Sequence, residues 1–268
     1  MSTMTMKDLR AYTVPKGSIT LWWLGQASWI FKTPGGKIIA LDPYLSDSCS
    51  TLSPDFDMKR RTPPPLTGSE MNGIDAYVLT HTHQDHLDPE TLAAYQRAGG
   101  RGPYFAPAEA VEKLQSLDVS AKDITTVWPN KSVTIGDVTL RATFAIPFGG
   151  DDLTHIGYLA FIKDGPTVYF TGDTGYHDIL RISIEPHKPD AMVTVINPAF
   201  RNMGPGEAAR LACQLGVKFV IPCHYDLFAC NSIPPQIFHT NLKVEGIGAT
   251  YRLPKHGEPF TISKTEAK

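Results

Sequence analysis

Asp75-Ala76-Tyr77-Val78-Leu79-Thr80-His81-Thr82-His83-Gln84-Asp85-His86 is the stretch on which the reading of this chain turns. Its first six residues predict a short buried strand, and its last six crowd three imidazoles and a carboxylate into one turn. Asp88 then offers an N-cap, Pro89 a first helical position, and Gly99-Gly100 a helix stop. A buried strand that runs into a polar loop and then a helix is how a rigid scaffold presents reactive groups.

The flanking sequence repeats that plan. Residues 18–24 and 28–32 are rich in aromatic and β-branched residues and predict strands, and Pro34-Gly35-Gly36 turns the chain into a third, 37–41, ending at Asp42-Pro43. Pro107 opens a second helix with Ala110, Val111, Leu114 and Leu117 on one face. In the second half, residues 157–162 and 167–171 flank the turn Lys163-Asp164-Gly165-Pro166 and lead into Asp173. Residues 190–196 echo 75–80. A helix over 205–215 buries Ala208, Leu211, Ala212 and Leu215, and a strand over 218–222 delivers Cys223-His224-Tyr225-Asp226 before another helix near Pro234-Pro235. Two such halves packed sheet to sheet, with helices outside, predict an α/β fold: a four-layer αβ/βα sandwich of two similar halves. Residues 44–73 have no periodicity, and a loop that long inside a compact domain is usually functional or disordered.

Composition narrows the classes. With 268 residues, 42% hydrophobic, 19% charged and a formal net charge of −2, the chain reads as one globular domain over residues 1–268. No apolar run of about 18 residues suggests a membrane span, and residues 1–16 lack a signal-peptide core, so the expected compartment is the cytoplasm. The near-neutral balance supplies no basic field for a nucleic-acid partner. Cys49, Cys213, Cys223 and Cys230 form no CxxC pair and no disulfide framework, which leaves them as buried structural thiols. A homo-oligomer is compatible with the sequence.

Imidazole and carboxylate together suit zinc or manganese. A turn aims His81 and His83 at one divalent ion and leaves Asp85 and His86 for a second. A solvated histidine cluster capping the next helix is the alternative, disfavoured because so many ligand types rarely gather at a buried strand's end. Asp173, at a strand end in Gly172-Asp173-Thr174, suits a bridging role, and His224 is the late candidate.

HxHxDH after a strand, then Gly-Asp-Thr, then a late strand-end histidine resembles the metallo-β-lactamase-fold hydrolase superfamily. A finer resemblance, to the L-ascorbate-6-phosphate lactonase-like branch, rests on Leu21-Trp22-Trp23-Leu24-Gly25, the Pro34-Gly35-Gly36 hairpin, Ile74-Asp75-Ala76 and Ile221-Pro222-Cys223-His224-Tyr225-Asp226. The resemblance spans residues 18–240. It implies one or two divalent ions held by His81, His83, Asp85, His86, Asp173 and His224. Many members place a further ligand histidine after the strand that here is 140–146. This chain has Phe148 there and no histidine until His155, which becomes the candidate to reach the metals by another route.

The implied activity is hydrolysis by metal-bound hydroxide, since a divalent ion lowers the pKa of bound water to about 7. Asp85 is the expected catalytic residue, orienting the hydroxide toward a lactone or ester carbonyl and relaying a proton to the leaving oxygen. Arg61, Asn197, Arg201 and Tyr225 are candidate contacts for a small anionic, sugar-phosphate-like substrate, either arginine gripping phosphate. His177 and Asp226 are candidates for orienting ligands. A phosphodiesterase or nuclease uses the same metals but wants a basic groove. A non-catalytic binding protein is the third class, and the presence of Asp85 argues against it.

Overall fold

The computed structural model describes residues 4–147, 152–247 and 251–264; Phe148 lies outside them. After a short helix, α1 (Met6–Ala11), comes β1 (Ser18–Gly25), in which Ile19, Leu21 and Trp23 enter one hydrophobic core and Trp22 and Leu24 another. The period of two in a strand sends alternate side chains to opposite faces, so a strand apolar at both is covered on both. β2 (Ser28–Lys32) and β3 (Ile38–Leu41) continue it as an antiparallel meander. β4 (Ala76–Val78), β5 (Tyr104–Ala106) and β6 (Ile124–Thr126) then add in parallel, connected through α2 (Pro89–Arg97) and α3 (Ala108–Ser116).

The second sheet starts with β7 (Ser132–Ile135), β8 (Val138–Phe144), β9 (Ile156–Ile162) and β10 (Thr167–Phe170), all antiparallel. Parallel strands β11 (Ala191–Val195) and β12 (Phe219–Cys223) follow through α4 (Asp178–Ile184) and α5 (Pro205–Leu215). The chain closes with α6 (Pro235–Val244) and β13 (Pro259–Ser263). Strand orders are β13-β1-β2-β3-β4-β5-β6 and β12-β11-β10-β9-β8-β7. Strands β1–β5 and β8–β12 therefore share one pairing scheme, two antiparallel pairs and then two parallel ones, which is the repeat expected from sequence. Pairing of β13 with β1 ties the C-terminal segment into the first half's sheet.

The sheets face each other across a shared core, where Phe31 and Phe170 stack at 5.6 Å. Leu92 and Tyr95 of α2 and Ala110 and Leu114 of α3 cover the outer face of the first sheet; Leu180, Leu211 and Phe238 of α4, α5 and α6 pack on the second. That completes four layers. Val111 and Leu117 are only partly buried, so the apolar face of α3 is narrower than its spacing predicts. The strand expected over 75–80 ends early because the Thr80 N–H turns to the Asp42 side chain.

The long loop is ordered by Arg60, which donates to the carbonyls of Leu24, Tyr44 and Thr62 and lies over the Tyr44 ring. All four cysteines are free. Cys49 and Cys223 are buried, but Cys213 is half-buried and Cys230 is exposed, in a turn (Ala229–Asn231) beyond β12.

Candidate metal centre

Strand direction decides what meets at one rim. β3, β4, β10, β11 and β12 end there with Asp42, the His81–His86 loop, Asp173, Asn197 and His224. β9 runs antiparallel to β10, so His155, the residue just before it, arrives at the same rim. Carboxyl ends of parallel strands in α/β sheets are the usual place for a site. Gly172 sits at φ +63°, and a Cβ there would lie 2.6 Å from the Ile156 carbonyl oxygen, so only glycine lets the chain turn Asp173 inward.

Three overlapping clusters result: His81, His83 and His155; His81, His86 and Asp173; Asp85, His86 and His224. Ligand atoms in each cluster lie within 4.8 Å of one another. Asp173 reaches both imidazoles beside it, with Oδ1 3.3 Å from His86 Nε2 and Oδ2 3.3 Å from His224 Nε2. Asp85 Oδ2 lies 3.1 Å from His224 Nε2 and 3.8 Å from His86 Nε2. His155 closes the first cluster, its ring centroid 3.9 Å from that of His81.

The donor set fits divalent cations. His81 Nε2, His86 Nε2, both His155 nitrogens and Asp173 Oδ1 are buried without a hydrogen-bond partner among the described residues. Buried polar atoms left unpaired are costly, and one nitrogen from each of these imidazoles together with Asp173 Oδ1 is satisfied at once if cations bind. Backing groups select the coordinating nitrogen. His86 Nδ1 donates to Asp42 Oδ2 at 2.9 Å, and Thr80 Oγ1, 3.0 Å from His81 Nδ1, donates to the same carboxylate oxygen at 2.5 Å. Both imidazoles thus turn Nε2 to the centre.

Electrostatics follow from burial and pairing. Burial pushes the Asp85 and Asp173 carboxyls up, but His86 and His224 outweigh it and hold both below the usual carboxylate range. Burial opposes a charged His224, yet Asp173 and Asp85 raise it to about 9; the same carboxylates and Asp42 raise His86. Burial wins at His155, pushed down to about 4, and at His81. Without metal, His81 and His155 are therefore neutral imidazoles, whereas His86 and His224 pair as imidazolium with the Asp85 and Asp173 carboxylates.

The other candidates fall elsewhere. Asn197 is fully buried and donates to Asn231 Oδ1 at 2.7 Å, while the Asn231 amide lies 3.2 Å from His224 Nδ1, so Asn197 supports a ligand from behind. Tyr225 is stacked on Trp23 at 5.0 Å in the core. Arg61 is exposed with Nη1 on Ser232 Oγ, and Arg201 is exposed; neither lines the cavity above the centre. His177 caps α4 through Nδ1, and Asp226 faces His256 at 3.6 Å. Sequence reasoning missed Gln26, whose Nε2 donates to Asp85 Oδ2 at 2.9 Å, and Asn202, whose Nδ2 donates to Asp173 Oδ2 at 2.8 Å. It also missed Asp152, which holds Thr82 through N–H and Oγ1. Amides on loops leave no spacing signal. Asp42 left one, because both halves put an aspartate after the corresponding strand, β3 or β10.

A cavity of about 280 Å³ opens over the centre, with His83, Asp85, His155, Asp173 and His224 in its floor.

Comparison with known proteins agrees with this geometry. Residues 38–225 match the Beta-lactamase superfamily domain. A UPF0173 metal-dependent hydrolase from Cupriavidus necator is 31% identical over 261 residues, 90% of this chain and 85% of the relative. Another from Herpetosiphon aurantiacus is 28% identical over 260 residues, covering 90% and 97%. Among solved structures, the metallo hydrolase Igni18 of Ignicoccus hospitalis superposes with a TM-score of 0.72 at 22% identity, covering 92% of this chain and 99% of that one. An isothiocyanate hydrolase from Delia radicum gut bacteria gives 0.73 at 20% identity, covering 91% and 99%. The cluster that His155 completes, the one that Asp85, His86 and His224 form, and the match over most of the chain lead to one conclusion: the protein belongs to the beta-lactamase superfamily and falls among its metal-dependent hydrolases.

Proposed function

We propose that this protein hydrolyses the carbon–oxygen bond of a small lactone or ester, with zinc or manganese held by His81, His83 and His155 on one side and by Asp85, His86 and His224 on the other, Asp173 between them. Divalent ions there supply Lewis acidity, acidifying water and countering negative charge on the substrate oxygen. The observation that carries the reading is the setting of Asp85. Gln26 Nε2 and His224 Nε2 both hold its Oδ2, and Oδ1 meets no hydrogen-bond donor among the described residues. Oδ1 is thereby left to accept a proton from the attacking water and return it to the leaving oxygen. The low proton affinity imposed by His86 and His224 keeps this carboxylate ionised at neutral pH. Asn202 and Gln26 fix the two acidic side chains so that neither swings on substrate entry.

Asp85→Asn tests this directly. The expected result is a loss of about 10²–10⁴ in kcat on lactones, with the thermal midpoint retained. Full hydrolytic activity in that variant sinks the assignment. A parallel screen of lactones, phosphoesters and phosphodiesters is expected to favour lactones; faster turnover of a phosphodiester overturns the substrate class.

A further inference from the structure

The cavity is built unequally. Its floor carries the carboxylates and imidazoles, whereas Leu52, Phe56, Met58, Phe200 and Phe228 form apolar walls. Among the described residues, no lysine or arginine lines it. Two guanidinium groups of the long loop are committed elsewhere: Arg60 to three backbone carbonyls and Arg61 to Ser232. A phosphate entering here would leave its hydration shell with no bidentate cation in the walls to replace it.

Phe56 and Phe200 come from opposite halves of the chain and meet edge to face, 5.6 Å between ring centroids. Both stay exposed, at 45% and 38%, although each is large and apolar. Exposed aromatic surface at the mouth of a cavity gains when a ligand covers it. The backbone is bent to hold Phe200 there: Phe200 and Arg201 both have left-handed φ, 54° and 60°, a conformation that non-glycine side chains rarely adopt in succession. The same excursion lets Asn202, two residues on, reach Asp173. One loop thus ties a cavity wall to the metal-ligand set.

We propose that Phe56 and Phe200 form an apolar clamp that determines specificity, selecting an uncharged lactone or ester with an apolar chain over a phosphorylated one. The lactone arm rests on the hydrolase reading above; the clamp itself does not require turnover. Two series on the zinc-loaded protein test it. One is kcat/KM for γ-lactones with side chains from methyl to hexyl, with and without a terminal phosphate. The other is the calorimetric Kd of n-alkyl hydroxamic acids of the same lengths. Both should improve by about fourfold per added methylene, the transfer value for a buried CH₂. In the Phe56→Ala/Phe200→Ala double variant the gain should fall below about twofold per methylene, so that the loss grows with chain length; Phe56→Leu/Phe200→Leu gives the same comparison if the alanine variant does not fold. A terminal phosphate should cost at least tenfold. A length-dependent hydroxamate series without lactone hydrolysis keeps the clamp and rejects the lactone reading. Flat series in wild type, or preference for the phosphorylated lactone, overturn the clamp.

Discussion

Asp42 contributes no atom to the three ligand clusters, yet one carboxylate orients an imidazole in each half of the centre. Its Oδ2 accepts from His86 Nδ1 at 2.9 Å and from Thr80 Oγ1 at 2.5 Å, and Thr80 Oγ1 in turn lies 3.0 Å from His81 Nδ1. Its Oδ1 accepts from the Thr80 backbone N–H at 2.8 Å, and the whole side chain is 1% exposed. Asp42→Asn keeps the shape and removes one acceptor. If the amide nitrogen faces His86, that imidazole must accept through Nδ1 and carry its proton on Nε2, the atom the metal needs. If it faces the Thr80 N–H, a buried backbone donor is left unpaired at a cost of about 1–3 kcal/mol. Backing groups of this kind are worth about 10–100-fold in metal affinity, or about 1.4–2.7 kcal/mol. The expected result is a tenfold or greater weakening of zinc binding in competition with a chelator, with a lower thermal midpoint of the metal-free protein. Wild-type affinity for both ions, with a wild-type melt, would refute the orientation argument.

Metal affinity should rise with pH. His224, raised to about 9, and His86, raised well above its ordinary value, are protonated at neutral pH in the metal-free protein, so loading expels protons. Calorimetry in buffers of different ionisation enthalpy should detect their release, and a pH-independent affinity would contradict the pairing. Stability of the metal-free protein follows the same groups. His224, raised from 6.5 to about 9, contributes fully below about 6.5 and loses that contribution as pH rises through about 9. His155, pushed down to about 4, acts oppositely, so stability falls as pH drops from about 6.5 toward 4; melting curves across both windows check the two signs. Lys113→Met removes the ammonium that donates to the Thr82 carbonyl at 2.5 Å within the ligand loop, and should cost about 1 kcal/mol in chemical denaturation. Phe31→Ala opens the stack between the sheets and should cost about 3–5 kcal/mol in the same assay; a loss under 1 kcal/mol would mean that the sheets do not depend on that contact.

Elements long enough to show a period were legible from sequence. The helix over 205–215 appears as α5 with Ala208, Leu211, Ala212 and Leu215 all buried, because its apolar spacing is that of a helix face. Three-residue strands such as β5 and β6 offer no period to read and form because a neighbouring strand supplies their hydrogen bonds. α4 escaped notice since its start depends on the His177 side chain rather than on an apolar stripe.

The chain's local order alone determined the strand–loop–helix units and the types of donor at their ends: HxHxDH, Gly-Asp-Thr and a late histidine announce metal chemistry because their spacing is fixed within a few residues. Only tertiary structure decided which donors share a point. His155, 74 residues from His81 along the chain, reaches it because β9 runs antiparallel to β10. Asp42 becomes the group behind His81 and His86 because β3 and β4 pair in parallel. Tyr225, adjacent to His224 in sequence, turns into the core, and Arg61 turns toward Ser232, because alternation and loop path, not proximity along the chain, set where a side chain points.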